Sequence, residues 1–283
     1  MNIHEAIACD LGKMAGFSVI TVLRADEPAP YSIYNGGAES PFLLTGDHAG
    51  DLVPSALDGL GLSPEQLNQH IAIDIGVNTL GRLMADRLNA SFLFQPYSRL
   101  VIDCNRPPHQ MDAVPELSDG TRIPGNFNLA PEARAARIRE IFDVYHASFI
   151  QELDRRDQAG QRTVLVALHS FTPHHGDFPA PRPWHVGVLW NRDGRLAHPL
   201  MEHLDAEPGL IVGNNEPYRV SDELDYAIPV HGEARGILSV ELEVRQDLLA
   251  DEAACAEWAD RLSVALSAAL ADIDAAQTQD MVT

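Results

Sequence analysis

Short apolar runs bounded by turn residues, and separated by stretches of helical period, limit what this chain can fold into more than any other feature. Pro41–Thr45, Ser91–Phe94, Leu100–Ile102, Thr163–Leu168, His185–Trp190, Leu210–Val212 and Ile237–Val244 all read as strands. Between them, Val77, Leu80, Leu83, Met84 and Leu88 recur at helical spacing. Ser63-Pro64 is a helix start, with Ser63 as N-cap and Pro64 in the first turn. Pro131 to Ala159, Ala197 to Leu204 and Asp251 to Ala275 are further helices, and a short helical pattern occupies residues 1–16. Strands alternating with helices predict an α/β fold with a mostly parallel sheet covered on both faces. No repeat or linker interrupts the pattern, so residues 1–283 read as one domain with its core at about 40–275. Residues 17–40 read as an irregular lead-in, 107–128 and 169–183 as long loops, and Thr278 to Thr283 as a frayed end.

Composition removes several function classes. The formal net charge is −21, whereas nucleic-acid binding needs a basic footprint. No apolar stretch is long enough to span a bilayer, and no secretory leader is evident. Cys9, Cys104 and Cys255 are too scattered for a disulfide framework or a CxxC metal site, which suits a reduced, cytoplasmic setting. An anionic ligand would have to be drawn in by a local positive site, against the field of the whole chain.

Such a site is written in Tyr97–Arg106, which carries Arg99, Asp103, Asn105 and Arg106 around the apolar Leu100–Ile102. Two guanidiniums and an amide are costly to bury unless an anion meets them, and a small carboxylate pairs well with the planar Arg fork. Two histidines, His48 and His169, follow other strand-like runs and could hold a metal beside it. Two imidazoles and one carboxylate, with a position left for water, make a hydrolytic zinc site. His48 and Asp51 have a suitable HxxD spacing, although a chain with 12 His and many Asp contains such pairs by chance. On the late strand Glu241, Glu243 and Arg245 alternate and share a side, so either glutamate could serve as base, or Glu243 and Arg245 could simply pair.

Taken together, Asp47-His48-Ala49-Gly50, His70–Gly76, Tyr97–Pro107, Ile123–Asn126, His169–Pro173, Arg182-Pro183-Trp184, Asn215–Tyr218, His231-Gly232 and Glu243–Leu248 resemble the N-formylglutamate amidohydrolase family. That family is itself similar to zinc carboxypeptidases and aspartoacylase-type hydrolases. The resemblance implies a three-layer α/β/α fold around a mixed, mostly parallel sheet of zinc-exopeptidase type. It also implies hydrolysis of an N-acyl amino acid, N-formyl-L-glutamate first among them. His48 and His169 match metal ligands, with Asp51 or Asp74 as the third; zinc, or another divalent ion such as cobalt, nickel or manganese, is the implied cofactor. Asn105 and Arg106 match the pair that holds a substrate carboxylate, and Arg99 stands near the place of a further substrate- or transition-state-contacting arginine. Glu243 matches the glutamate–apolar–arginine motif and is preferred as base.

Other residues carry plainer expectations. Asp103 would orient Arg106 or cap the strand end. Arg182 and Arg122 are candidates for reading a side-chain carboxylate. His174 and His175 would be solvated or substrate-adjacent, His231 in a turn or against substrate, and Trp184 and Trp190 in packing. The implied partner is a small N-acyl amino acid, with no nucleic acid and no membrane; nothing in the chain specifies an oligomeric state. Two other functions stay open: a carboxypeptidase- or aspartoacylase-like hydrolase of different specificity, and a metal-free carboxylate-binding protein.

Overall fold

The computed structural model describes residues 20–176 and 180–280; the helical pattern at 1–16 and the last residues, 281–283, lie outside them. The strands are β1 (Ser32–Tyr34), β2 (Phe42–Gly46), β3 (Ser91–Phe94), β4 (Leu117–Ser118), β5 (Thr121–Arg122), β6 (Val164–Phe171), β7 (Val186–Leu189), β8 (Val212–Asn214) and β9 (Leu238–Arg245). The helices are α1 (Pro64–Leu67), α2 (Val77–Leu88), α3 (Pro131–Arg137), α4 (Asp143–Gln158), α5 (Ala197–Asp205) and α6 (Glu252–Asp280). Seven strands form one sheet in the order β1-β3-β2-β6-β9-β7-β8. The β3-β2-β6-β9 run is parallel, as is β7-β8, while β1 and β7 pair antiparallel to β3 and β9. The mixed, mostly parallel α/β sheet with helices on both sides is therefore present.

Strand alternation divides the core. Leu44, Val166, Leu168, Val240 and Leu242 face α2, α5 and α6, where Leu80, Met84, Leu200, Leu262 and Leu266 are buried. Leu43, Leu93, Leu165 and Ala167 face the other layer, built from α3, α4 and long loops around Tyr145, Phe149 and Leu153. This alternation sends His169 on β6, and Glu241 and Glu243 on β9, toward the second layer, beyond the apolar residues of that face. Chemistry thus gathers at the C-terminal ends of the parallel strands, the usual location in open α/β sheets.

The structure corrects several local expectations. Leu100–Ile102 is buried but is not a strand; Pro96 and Pro107 flank it, and it turns across the strand ends. Its carbonyls are met by side chains instead, Leu100 O by Asn126 and Val101 O by Arg137. The lead-in contributes edge strand β1, and the 107–128 loop contains the β4–β5 hairpin. The 131–159 helix is broken by a π-turn at Ile138–Phe142, and the late strand near 210 begins only at Val212. Thr278 to Asp280 continue α6. The start of α1 is as expected, with Ser63 and Gln66 forming a reciprocal capping box. Among the described residues, no helix is long and apolar enough to cross a membrane.

Candidate active site

His48 lies just past the end of β2, in a loop pressed against the segment that follows β3. A Cβ at Gly50 would stand 2.0 Å from the Pro96 carbonyl oxygen, so only glycine permits this approach. Leu52 N–H then donates to Pro96 O, and Ser98 N–H to Leu52 O, locking the two loops together. Asp74 precedes α2 and is tied to the same loop by its own N–H, which donates to His48 O at 3.0 Å. Gly76, at φ +84°, makes the turn into the helix, where a Cβ would collide with Leu249.

These loops bring His48 and Asp74 against His169. One donor atom from each of the three lies within 4.8 Å of the others, and all three residues are buried. His169 Nδ1 is 2.8 Å from Asp74 Oδ2, and His48 Nε2 is 2.6 Å from Asp103 Oδ1. His48 Nδ1 and His169 Nε2 have no hydrogen-bond partner among the described residues. His48 Nδ1 lies 3.4 Å from Asp74 Oδ2 and His169 Nε2 3.9 Å from Glu241 Oε2. Buried ring nitrogens that lack hydrogen bonds and stand among carboxylates fit a divalent cation. The Asp103 carboxylate fits the role of orienting a ligand imidazole from behind. Asp51, the other candidate for third ligand, is exposed and lies outside this group.

The electrostatics agree. Burial opposes charging His169, yet Glu241, the bond to Asp74, and Glu243 outweigh it and hold its pKa well above the usual imidazole range. For His48, burial and Arg99 are likewise outweighed by Asp103 and Asp74, and its pKa is raised. Burial would lift Asp74, but the two histidines hold it below the usual carboxylate range. This is an acidic chamber that favours positive charge at its centre.

A cavity of about 380 Å³ opens over the group, lined by Arg99, Arg106, Tyr218, Asp225, Glu241 and Glu243 among others. Glu243 stands beside His169 in the β6–β9 register; its Oε2 is buried without a partner, and burial pushes its pKa well above the ordinary value. The alternative pairing with Arg245 does not form, since Arg245 is bound to Asp247. Glu241 instead accepts from Asn105 Nδ2 at 3.4 Å and lies 3.9 Å from His169.

Of the carboxylate-binding candidates, Arg99 is fixed by Asp103 at 2.7 Å and Asp74 at 3.3 Å. Asp103 therefore serves His48 and Arg99 rather than orienting Arg106. Arg106 lines the cavity, donating to Leu224 O and lying 3.6 Å from Asp112. The Asn105 side-chain carbonyl accepts from the N–H groups of Tyr226 and Ala227, so much of this amide holds the cavity wall together. Arg182 is buried outside the cavity lining, donating to Thr172 O and the Tyr218 hydroxyl, and Arg122 lies over the Phe127 ring. His175 lines the cavity, whereas His231 is buried against His146 and Phe149.

Sequence reasoning missed Asp225 and Arg219, both of which line the cavity. They belong to the polar segment Arg219–Asp225, which carries no motif or strand signal in the sequence. Burial and Glu241 push the Asp225 pKa up to about 7, above its ordinary 3.8. A raised folded value means that the folded state holds this proton while the open chain has lost it, so stability falls as pH rises from about 4 to about 7. Asp225→Asn is accordingly expected to raise the melting temperature by a few degrees at pH 8 and by less at pH 5. Thermal denaturation at the two pH values checks this, and an equal shift at both would contradict it.

Comparison with known proteins places this geometry. A crystal structure of an Agrobacterium tumefaciens gene product is similar at 33% identity and a TM-score of 0.85, covering 89% of this chain and 99% of that one. A crystal structure of an N-formylglutamate amidohydrolase from Ralstonia eutropha shares the fold at 21% identity and a TM-score of 0.63, covering 84% of this chain and 96% of that one. The comparison with curated proteins returned no match. The family model of N-formylglutamate amidohydrolases matches residues 40–250, three quarters of the chain and the whole of the site above, and the chain belongs to that family.

Proposed function

We propose that this protein hydrolyses the formyl amide of N-formyl-L-glutamate, giving formate and L-glutamate, with a divalent metal, zinc by preference, held by His48, Asp74 and His169. The observation that carries this reading is the buried His48/Asp74/His169 group, in which His48 Nδ1 and His169 Nε2 make no hydrogen bond, beside Glu243, whose buried Oε2 makes none either. Nitrogen and oxygen donors of this kind suit zinc, which when bound would lower the pKa of a water toward neutrality and polarise the acyl carbonyl. Membership of an amidohydrolase family supports enzymatic activity on a linear amide.

The chain's own groups then have defined tasks. Glu243 Oε2 takes a proton from the attacking water as the new C–O bond forms, and returns it to the amine nitrogen as the C–N bond breaks. Burial pushes its pKa well above the ordinary glutamate value, so once ionised it is a stronger base than a surface glutamate. Arg99 supplies a fixed guanidinium toward the developing oxyanion, pre-oriented by Asp103 and Asp74. Arg106, with the free amide hydrogen-bonding capacity of Asn105, holds the substrate α-carboxylate and so orients the acyl group.

The test is product release from matched substrates. Formate from N-formyl-L-glutamate should appear far faster than acetate from N-acetyl-L-glutamate or an amino acid from a dipeptide. Faster acetate release would move the enzyme toward aspartoacylase-like specificity, faster dipeptide cleavage toward a carboxypeptidase. Metal bound without turnover of any of the three would send the search to other N-acyl amino acids, and no metal with no turnover would favour the metal-free carboxylate-binding protein.

A further inference from the structure

The site described so far holds the acyl group and the α-carboxylate, but names nothing that reads the substrate's side chain. Arg182 and Arg122, the sequence candidates, do not line the cavity. Arg219 does. It is exposed and forms no hydrogen bond or ion pair with any described residue. That is unusual here, because the chain carries 41 acidic residues against 20 lysines and arginines, an abundant supply of surface partners. The other arginines of the cavity are engaged, Arg99 with Asp103 and Asp74, and Arg106 with Leu224 O.

Arg219 is also held in place from both sides. The preceding Tyr218 hydroxyl accepts a 2.8 Å hydrogen bond from the buried Arg182, and the following Val220 is itself buried. Arg219 thus lines the cavity at an exposed position between two anchored neighbours, with exposed Leu117 and Leu224 on the same lining. Those two side chains suit an aliphatic stem, and a planar guanidinium suits the carboxylate at its end. The buried triad and Arg219 line one cavity, so a substrate with its acyl carbon against the triad has the guanidinium within the same enclosure.

We propose that Arg219 is the specificity-determining residue that binds the side-chain carboxylate, so that the enzyme selects N-acyl dicarboxylic amino acids over neutral ones. This rests on the amidohydrolase reading above and deepens it. The wild-type enzyme should prefer N-formyl-L-glutamate to its neutral isostere N-formyl-L-glutamine by about 10-fold or more in kcat/KM. Arg219→Gln should remove most of that preference through a higher KM for N-formyl-L-glutamate, with kcat for it little altered; Arg219→Lys should keep part of it. A variant that retains the wild-type preference, or that loses kcat on both substrates in proportion, overturns the proposal. Wild-type enzyme that cleaves both substrates equally well overturns it while leaving the amidohydrolase reading standing. Wild-type enzyme that cleaves neither overturns both.

Discussion

Replacing Glu243 with glutamine is expected to lower kcat by about 1000-fold or more while leaving the fold intact, the scale at which a positioned general base contributes. The expectation comes from its surroundings. Glu243 is buried, its Oε2 has no partner, and the neighbouring Arg245 is committed to Asp247. A carboxylate in that position costs stability, so Glu243→Gln, which keeps the shape and removes the charge, should leave the melting temperature unchanged or raise it. The two effects together separate a base from a structural ion-pair partner. If Glu243 were structural, stability would fall along with activity. Steady-state kinetics and thermal unfolding of one variant decide between them. Glu241 remains the alternative base, and the same substitution there should cost less activity, because its carboxylate already receives the Asn105 amide.

The second large effect concerns Asp74. Its carboxylate meets His169 at 2.8 Å, His48 at 3.4 Å and Arg99 at 3.3 Å, so a single change strips the centre of its shared anion. Asp74→Ala is expected to weaken metal binding by more than about 100-fold and to cost the metal-free protein about 3 kcal/mol. Asp51→Asn, at an exposed position outside the group, should leave both unchanged. Metal titration and urea unfolding of the two variants settle the third ligand. Equal losses in both would contradict the assignment to Asp74, as would metal affinity that survives its removal.

Much of this site was legible in the residues, for reasons that can be traced. Val240, Leu242 and Val244 alternate with Glu241 and Glu243, so the period of a strand already put both glutamates on one side. His48 could be placed just past a strand because the run before it is short, apolar and closed by Gly46, whereas β6 runs on through His169 to Phe171, so His169 lies within its strand rather than after it. Asp74 was different: no spacing rule links it to either histidine, since a backbone bond to His48 O brings it there, and only the family resemblance raised it beside Asp51. Leu100–Ile102 misled because burial and strand character look alike in a run of three apolar residues. Its carbonyls are satisfied by Asn126 and Arg137 from distant segments, which no local pattern reveals. The partners of Asp103 were misassigned for the same reason, as His48 lies far away in sequence. Arg219 and Asp225 sit in a polar loop whose course along the cavity depends on anchors such as Tyr218 on Arg182 and the Asn105 side chain on Tyr226 and Ala227.

The central claim is that a metal held by His48, Asp74 and His169 is needed to cleave an N-formyl amino acid. The measurement that reaches it most directly is formate release from N-formyl-L-glutamate by metal-analysed protein, before and after chelation, with zinc added back. The account predicts about one metal ion per chain, turnover abolished by chelation, and turnover restored by zinc. Undiminished formate release from protein shown to be free of metal would contradict it.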